Sequence, residues 1–456
     1  MDGATANDTR AADLTRLLAG QARALDYQDL PAPVCELARQ CLLDYLGVAL
    51  AGAGDPLVQI LLDEMAEAGG SPQASIIGRS VRLPASSAAL VNGAMAHALD
   101  YDDVNMAMPG HPSVAILPGL LALAELKGSS GREVVTAFVA GYEIACRIGS
   151  ALRPGHYDLG FHSTGTIGAF GAAAACAGLL GLDAETTAAA LGIAGTQAAG
   201  LKSQFGTMCK PFHAGRAAQN GLLAARLAQR GFTSRTDIVE CIQGFALTHG
   251  PDFTPDAALA APQAGYHLAA NLFKYHAACY LTHAPIECAR RLREQHQLVP
   301  AMMDGVTIRL DASCDRVCNI PAPADGLQSK FSLRQTVAMA LAGVDTASLG
   351  AYSAENARDP GLVELREQVR LEWQKGWPQT LCELELALTD GRRLSTRHDA
   401  GLPAANIAEQ GERLAAKFDA LVEPVLGAPR ARELRETVAS LDSLPDIGRL
   451  ANLTAG

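Results

Sequence analysis

For roughly its first 260 residues this chain offers helical apolar spacing again and again, and no alternating run long enough for a useful strand. Cys35–Ala51 carries apolar residues at helical intervals. Ser130-Gly131-Arg132-Glu133 is a capping box ahead of the stripe Val134, Val135, Phe138, Val139 and Tyr142. Gly215–Arg230 is amphipathic and stops at Gly231, a residue suited to a helix C-terminus. With 49% hydrophobic but only 5% aromatic residues, the core must be built from Ala, Leu, Val and Ile. The Ala- and Gly-rich runs point to helices at close approach.

The texture changes after about Gly265. Val306–Leu310 alternates, as does Cys382–Leu388, and Asp390-Gly391 supplies a hairpin turn before Arg393–Thr396. A helical stretch at Leu333–Ala342 lies between them, and helical spacing returns at Leu414–Val422 and Ala431–Leu441. The expected fold is mainly α. A large all-helical domain is formed by both chain ends (1–265 and 400–456), with a smaller inserted α+β lid domain at 266–399. Met1–Arg10 is polar, without the apolar core of a signal peptide, and reads as a loose tail.

The net charge of −11 disfavours a nucleic-acid or anionic-membrane binder, since both need an excess of Lys and Arg. Eleven cysteines are dispersed without a CxxC pair, which suits buried thiols in a reducing cytoplasm. Ser163–Leu182 is uncharged and near membrane-spanning length, but its Gly and Ala content favours a helix buried in a protein core.

Whole-chain charge conceals a local inversion. Thr186–Thr236 holds six cations and no acid in 51 residues. Arg226, Arg230 and Arg235 suit a solvated helix face. Lys202, Lys210, His213 and Arg216 sit in a Gly-rich stretch, where Gly200, Gly206 and Gly215 would let backbone approach an anionic ligand. A second segment, His97-Ala98-Leu99-Asp100-Tyr101-Asp102-Asp103, precedes Gly110-His111-Pro112-Ser113. Its carboxylates invite a divalent-metal reading, but neither a calcium-loop turn nor HExxH spacing is present. The other use of such acids is to hold catalytic His or Lys, and Pro112 would place His111 at a helix N-cap. His97 alone reads as a core residue. A third segment, His156-Tyr157-Asp158 to Gly160-Phe161-His162, offers histidines between Gly-rich turns as acid or base. The fourth, Lys274–His283, includes Cys279, a packed thiol or proton donor. No dinucleotide fingerprint, Walker loop, GxSxG elbow or iron–sulfur cysteine set occurs.

Eight segments in order resemble the MmgE/PrpD family, which includes 2-methylcitrate dehydratase, iminodisuccinate epimerase and cis-aconitate decarboxylase. They are LLDYLGVALAG, VNGAMAHALDYDD, GHPSVAILPGLLALAE, GYEIACRIG, GFHSTGTIGAFGAAAA, GTMCKPFHAGRAAQNGLLAARLA, CYLTHAPIECA and KFSLRQTVAMAL. The resemblance implies a homodimer acting on a small di- or tricarboxylate, with no cofactor and no metal. It places Asp100, His111, His162, Lys210 and Lys274 in the active site. Beside these catalytic residues, Arg216, Lys202, His213, Cys279 and Tyr157 are the expected substrate contacts. Two departures count against decarboxylation: Val104 stands where the decarboxylases usually have Thr, and Cys279 where they have His. Cys279 and the His156–His162 spacing look nearer the epimerase. The expected activity is a dehydratase of the 2-methylcitrate type, with epimerisation of an amino- or imino-dicarboxylate as the alternative. Decarboxylation or a non-catalytic polycarboxylate-binding paralogue comes after these.

Overall fold

A computed structural model describes residues 13–456, so the expected tail at Met1–Arg10 lies outside the described residues. The protein is mainly α, and its contacts divide it into two compact units. The first runs up to Asn271 and resumes at Ala404–Gly456; the second is Leu272–Pro403.

In the part of the first unit up to Asn271 the described helices of eight residues or more are α1 (Leu14–Ala24), α2 (Ala32–Gly52), α3 (Pro56–Ala68), α4 (Ala85–His97), α5 (Pro112–Lys127), α6 (Gly131–Leu152), α7 (Ser163–Leu179), α8 (Ala184–Gly195) and α9 (Cys209–Gln229). The expected capping box is present at α6: Ser130 Oγ accepts from the Glu133 backbone, and the Glu133 carboxylate accepts from the Ser130 backbone. Such a cap is worth about 1 kcal/mol. α7, the uncharged segment, is buried along its length apart from Gly178. Among the described residues α6 alone is long and apolar enough by composition to cross a membrane, and 83% of that window is buried inside the fold.

Small residues bring these helices into backbone contact. A Cβ on Gly215 of α9 would lie 2.2 Å from the Leu90 carbonyl oxygen of α4. One on Gly119 of α5 would lie 2.7 Å from the Ala218 carbonyl oxygen of α9. This revises the expectation for Gly215: its missing side chain admits a neighbouring helix, not a ligand. The consequence reaches the site, because α4 ends at His97, α5 begins after His111 and α9 carries Lys210 in its first turn.

The second unit contains α10 (His283–His296), α11 (Leu333–Ala342) and α12 (Pro360–Gln368), with a four-stranded sheet. Its strands are β1 (Met303–Asp311), β2 (Val369–Gln374), β3 (Leu381–Leu388) and β4 (Arg393–Asp399), ordered β2-β1-β3-β4. β1 and β2 are parallel; the other pairs are antiparallel. Ile308 lies opposite Leu384, and Leu384 opposite Thr396, so one face is apolar and packs under the helices. The Asp390-Gly391 hairpin is as expected, with Gly391 at φ 89. The parallel edge strand β2 was not expected.

The chain closes the first unit with α13 (Ile407–Leu426) and α14 (Ala428–Ala439). From α13, Lys417 reaches back to Asp44 Oδ1 at 2.6 Å and to the Tyr101 carbonyl oxygen at 2.7 Å. The two ends of the chain thus converge on the loop after His97.

Candidate active site

That loop leaves α4 at His97 and turns at once. Asp100 has φ 52, a left-handed conformation that a non-glycine residue adopts only where its surroundings hold it, and a common mark of functional sites. The turn sends alternate carboxylates in different directions. Asp100 Oδ1 accepts from Lys210 Nζ at 2.6 Å, and both side chains are buried. Asp102 faces the histidines: its carboxylate receives His97 Nδ1 at 2.9 and 3.1 Å. His111 Nδ1 lies 2.9 Å from Asp102 Oδ2 and also donates to the Asp103 carbonyl oxygen at 2.9 Å. A carbonyl can only accept, so His111 carries a proton on Nδ1, and in the neutral ring the lone pair is on Nε2. That Nε2 is 3.9 Å from Asp100 Oδ1.

His111 is the N-cap of α5, with Pro112 at the first helical position, as its sequence implied. His162 is likewise the N-cap of α7. Neither imidazole caps its own helix, so both rings are available for other contacts. The His111 backbone N–H donates to Thr164 Oγ1 at 3.1 Å, tying the two helix starts together. The ring centroids of His97 lie 4.5 Å from His111 and 5.8 Å from His162. His162 Nδ1 is 3.0 Å from His213 Nδ1, and Phe205 packs edge-on against His162 while lying 5.2 Å from Lys210 Nζ.

Burial and charge set the protonation states. Burial lowers His97 to about 4 despite the Asp102 carboxylate. Burial, with Lys210 and the neighbouring imidazoles, holds His162 well below the usual histidine range. His213 is lowered for the same reasons, burial first and Lys210 second. Burial works against ionisation of Asp102, yet the two imidazoles hold its carboxyl well below the usual range. Asp103 differs: burial and the charges of Asp44 and Asp102 push it up to about 7, while Ser113 Oγ donates to its Oδ2 at 2.5 Å.

The first unit therefore brings Asp100, His111, His162, Lys210 and His213 into one cluster, together with two residues outside the expected set, His97 and Asp102. One donor atom from each of His97, Asp100, Asp102 and His111 lies within 4.8 Å of the others. The chemistry of these donors suits proton transfer better than cation binding. The Lys210 ammonium already serves Asp100, and both imidazoles present N–H, not a lone pair, to Asp102.

The other expected contacts lie elsewhere. Lys202 Nζ donates to the Tyr157 carbonyl oxygen at 3.0 Å and sits 3.5 Å from the centre of that ring, so these two hold each other. Arg216 is exposed and its guanidinium donates to Gln219. Lys274 and Cys279 belong to the second unit and are buried there. Near them His276 Nε2 is 3.2 Å from Glu287 and its Nδ1 is 2.8 Å from Thr346 Oγ1.

A signal for the cluster was available. Leu83–Leu126 contains no Lys or Arg but holds Asp100, Asp102 and Asp103, the complement of the acid-free Thr186–Thr236. Two such segments in one core are expected to seek each other, and Lys210 meets Asp100.

Residues 16–257 match the MmgE/PrpD N-terminal domain and residues 276–443 the MmgE/PrpD C-terminal domain. The chain belongs to the MmgE/PrpD family. Among curated proteins it is similar to the cis-aconitate decarboxylase of Aspergillus terreus (strain NIH 2624 / FGSC A1156), at 28% identity over 93% of this chain and 92% of that protein. It is similar to the mouse cis-aconitate decarboxylase at 26% identity over 97% and 93%. The human enzyme of that name is 27% identical over 93% and 90%. For an MmgE/PrpD chain, the location of the cluster is informative: every residue in it falls within the N-terminal domain match.

Proposed function

We propose that this MmgE/PrpD protein is a lyase that removes a proton from a carbon beside a carboxylate of a di- or tricarboxylate, in a dehydration of the 2-methylcitrate type. The observation that carries the reading is the Lys210–Asp100 ion pair set beside Nε2 of His111, at the start of two buried helices. Taking a proton from such a carbon places further negative charge on a polyanion. A fixed ammonium and helix N-termini oppose that charge in a water-poor site, which is usually the largest catalytic contribution.

In this scheme His111 Nε2 takes the proton, and the C–H electron pair passes into an enolate-like dianion. His162 serves as the acid–base partner. Lys210 holds a carboxylate. Asp100, paired with Lys210, tunes that ammonium and sets its direction. The enolate electron pair then forms the C=C bond as the C–O bond breaks, and the β-hydroxyl leaves as water with the proton that His111 took, passed on through the His111–His162 pair.

Decarboxylation is the second reading, favoured by the names of the three relatives. Against it stand Val104, which is buried and offers no hydroxyl, and Cys279. Incubation in D₂O with methylcitrate, citrate, aconitate and amino-dicarboxylates, followed by NMR, separates the chemistries. Dehydration gives loss of water. Solvent exchange without net change indicates epimerisation, and loss of CO₂ indicates decarboxylation. Absence of both water loss and deuterium incorporation with every substrate would overturn proton abstraction itself. Light scattering tests the homodimer that the resemblance implies.

A further inference from the structure

Two features of the cluster are not used by the scheme above: His97, and the carboxylate of Asp102. Asp102 is 1% exposed, and among the described residues no Lys or Arg pairs with it; its charge is met by two imidazoles. His97 gives its Nδ1–H to that carboxylate, and its Nε2 is buried with no hydrogen-bond partner among the described residues. A buried histidine that fills space would be expected to satisfy both nitrogens. His156 does so, through the His249 carbonyl oxygen and Thr166 Oγ1, each at 2.8 Å.

We propose that Asp102 is a positioning residue shared by two histidines: it holds His97 in the Nδ1–H form, and it supplies the counter-charge for the imidazolium formed when His111 takes the substrate proton. The role needs a carboxylate. His97 Nδ1 approaches Oδ1 at 2.9 Å and His111 Nδ1 approaches Oδ2 at 2.9 Å, so both oxygens must accept. An asparagine has one acceptor and one donor and cannot serve two N–H groups. The Asp103 carbonyl fixes the His111 tautomer independently, so loss of Asp102 falls on His97's tautomer and on His111's charge. One anion facing two imidazoles 4.5 Å apart also favours a single proton between them. The proton taken from substrate then stays on His111 until it passes on to the leaving β-hydroxyl as the C–O bond breaks.

This inference rests on the proton-transfer reading for its kinetic part only; its structural part can be read on the resting enzyme. Protein labelled with ¹⁵N-histidine, assigned with His97→Gln and His111→Gln, reports each ring's tautomer by long-range ¹H–¹⁵N correlation. In the wild type both rings should show Nδ1–H with bare Nε2. In Asp102→Asn, His111 should keep that form and His97 should lose it. An Nε2–H form for either ring in the wild type, or an unchanged His97 in Asp102→Asn, overturns the proposal. Should Asp102→Asn not fold, the wild-type spectrum and Asp102→Glu, which retains two acceptor oxygens and the His97 tautomer, still decide it. With the substrate found in D₂O, Asp102→Asn should lower kcat by about 10²-fold or more, leave KM within about threefold, and move the acid limb of the rate profile to lower pH. An unmoved limb with kcat intact rejects the counter-charge role. Failure of every substrate removes the proton-abstraction reading, while the tautomers remain a separate result.

Discussion

Two histidine clusters in the first unit are built from neighbouring stretches of chain and are buried to similar degrees, yet their surroundings are opposite. His156 stacks on Phe161 with ring centroids 4.8 Å apart and the planes 7° from parallel. His249 stacks on Phe245 at 4.5 Å. Each His156 nitrogen meets a neutral partner. The His97–His111–His162 cluster faces Asp102, Asp100 and Lys210, with Phe205 closing one side. Burial lowers His156 and His97 alike, each to about 4. A shifted histidine is therefore no sign of catalysis. What separates the clusters is whether a fixed charge stands ready for the protonated form.

The largest difference should appear in turnover. His111→Ala or Lys210→Ala is expected to cut kcat/KM by about 10²- to 10⁴-fold, the span of a lost acid–base or electrostatic group. His156→Gln should leave the turnover of the folded enzyme within about threefold. Equal losses at the two clusters, measured on protein whose circular dichroism is native, would break the comparison.

Next in size is a stability effect at Asp103, beside the catalytic cluster. Its carboxyl is raised from 3.8 to about 7, so the stability it contributes is complete below the lower value and lost as pH rises through the upper one. Asp103→Asn should therefore be near neutral at about pH 3.5 and stabilising by about 2–4 kcal/mol at pH 8, read by urea unfolding. A variant equally stable or unstable at both pH values would show that Asp103 is ionised freely. The aromatic cluster should respond with the reverse sign. His156 is lowered from 6.5 to about 4, so its contribution is complete above 6.5 and lost as pH falls through 4. In His156→Gln the acid limb of stability should flatten by about 1–3 kcal/mol. An acid limb identical to the wild type would mean that His156 is not kept neutral by the fold.

Much of this arrangement was legible from residue order, because it is local. The His111 N-cap follows from Pro112, the α6 start from Ser130 and Glu133, and the β3–β4 hairpin from Asp390-Gly391. The parts that were not legible depend on contacts across the chain. Asp100 and Asp102 are two residues apart and look equivalent in HALDYDD. The left-handed backbone at Asp100 is what gives one to Lys210, 110 positions away, and the other to two imidazoles. His97 reads as core from its apolar neighbours, and it is buried; only its partner makes it part of the site. β2 escaped because it is a parallel edge strand whose partner, β1, lies some 60 residues earlier, with little alternation of its own. Arg216 and Lys202 entered through charge alone, and charge does not say which face of a helix or turn a side chain takes.

Arg216 offers the smallest effect and a sharp control. It follows Lys210 by six positions on α9, which at 3.6 residues per turn places it about 120° around the helix. Lys210 is buried against Asp100, whereas Arg216 is exposed and donates to Gln219 one turn on. Its neighbour Gly215 meets the backbone of α4, so α9 cannot rotate to exchange the two faces without a clash at Leu90. Arg216→Ala should accordingly change kcat/KM by less than about twofold and unfolding free energy by no more than about 0.5 kcal/mol, as for an ordinary surface substitution. Steady-state kinetics on the substrate that exchanges deuterium, beside Lys210→Ala, makes the contrast. A tenfold loss at Arg216 would mean that a cation outside the buried cluster reaches the substrate, and that burial beside a fixed charge is too narrow a rule for what counts as the site.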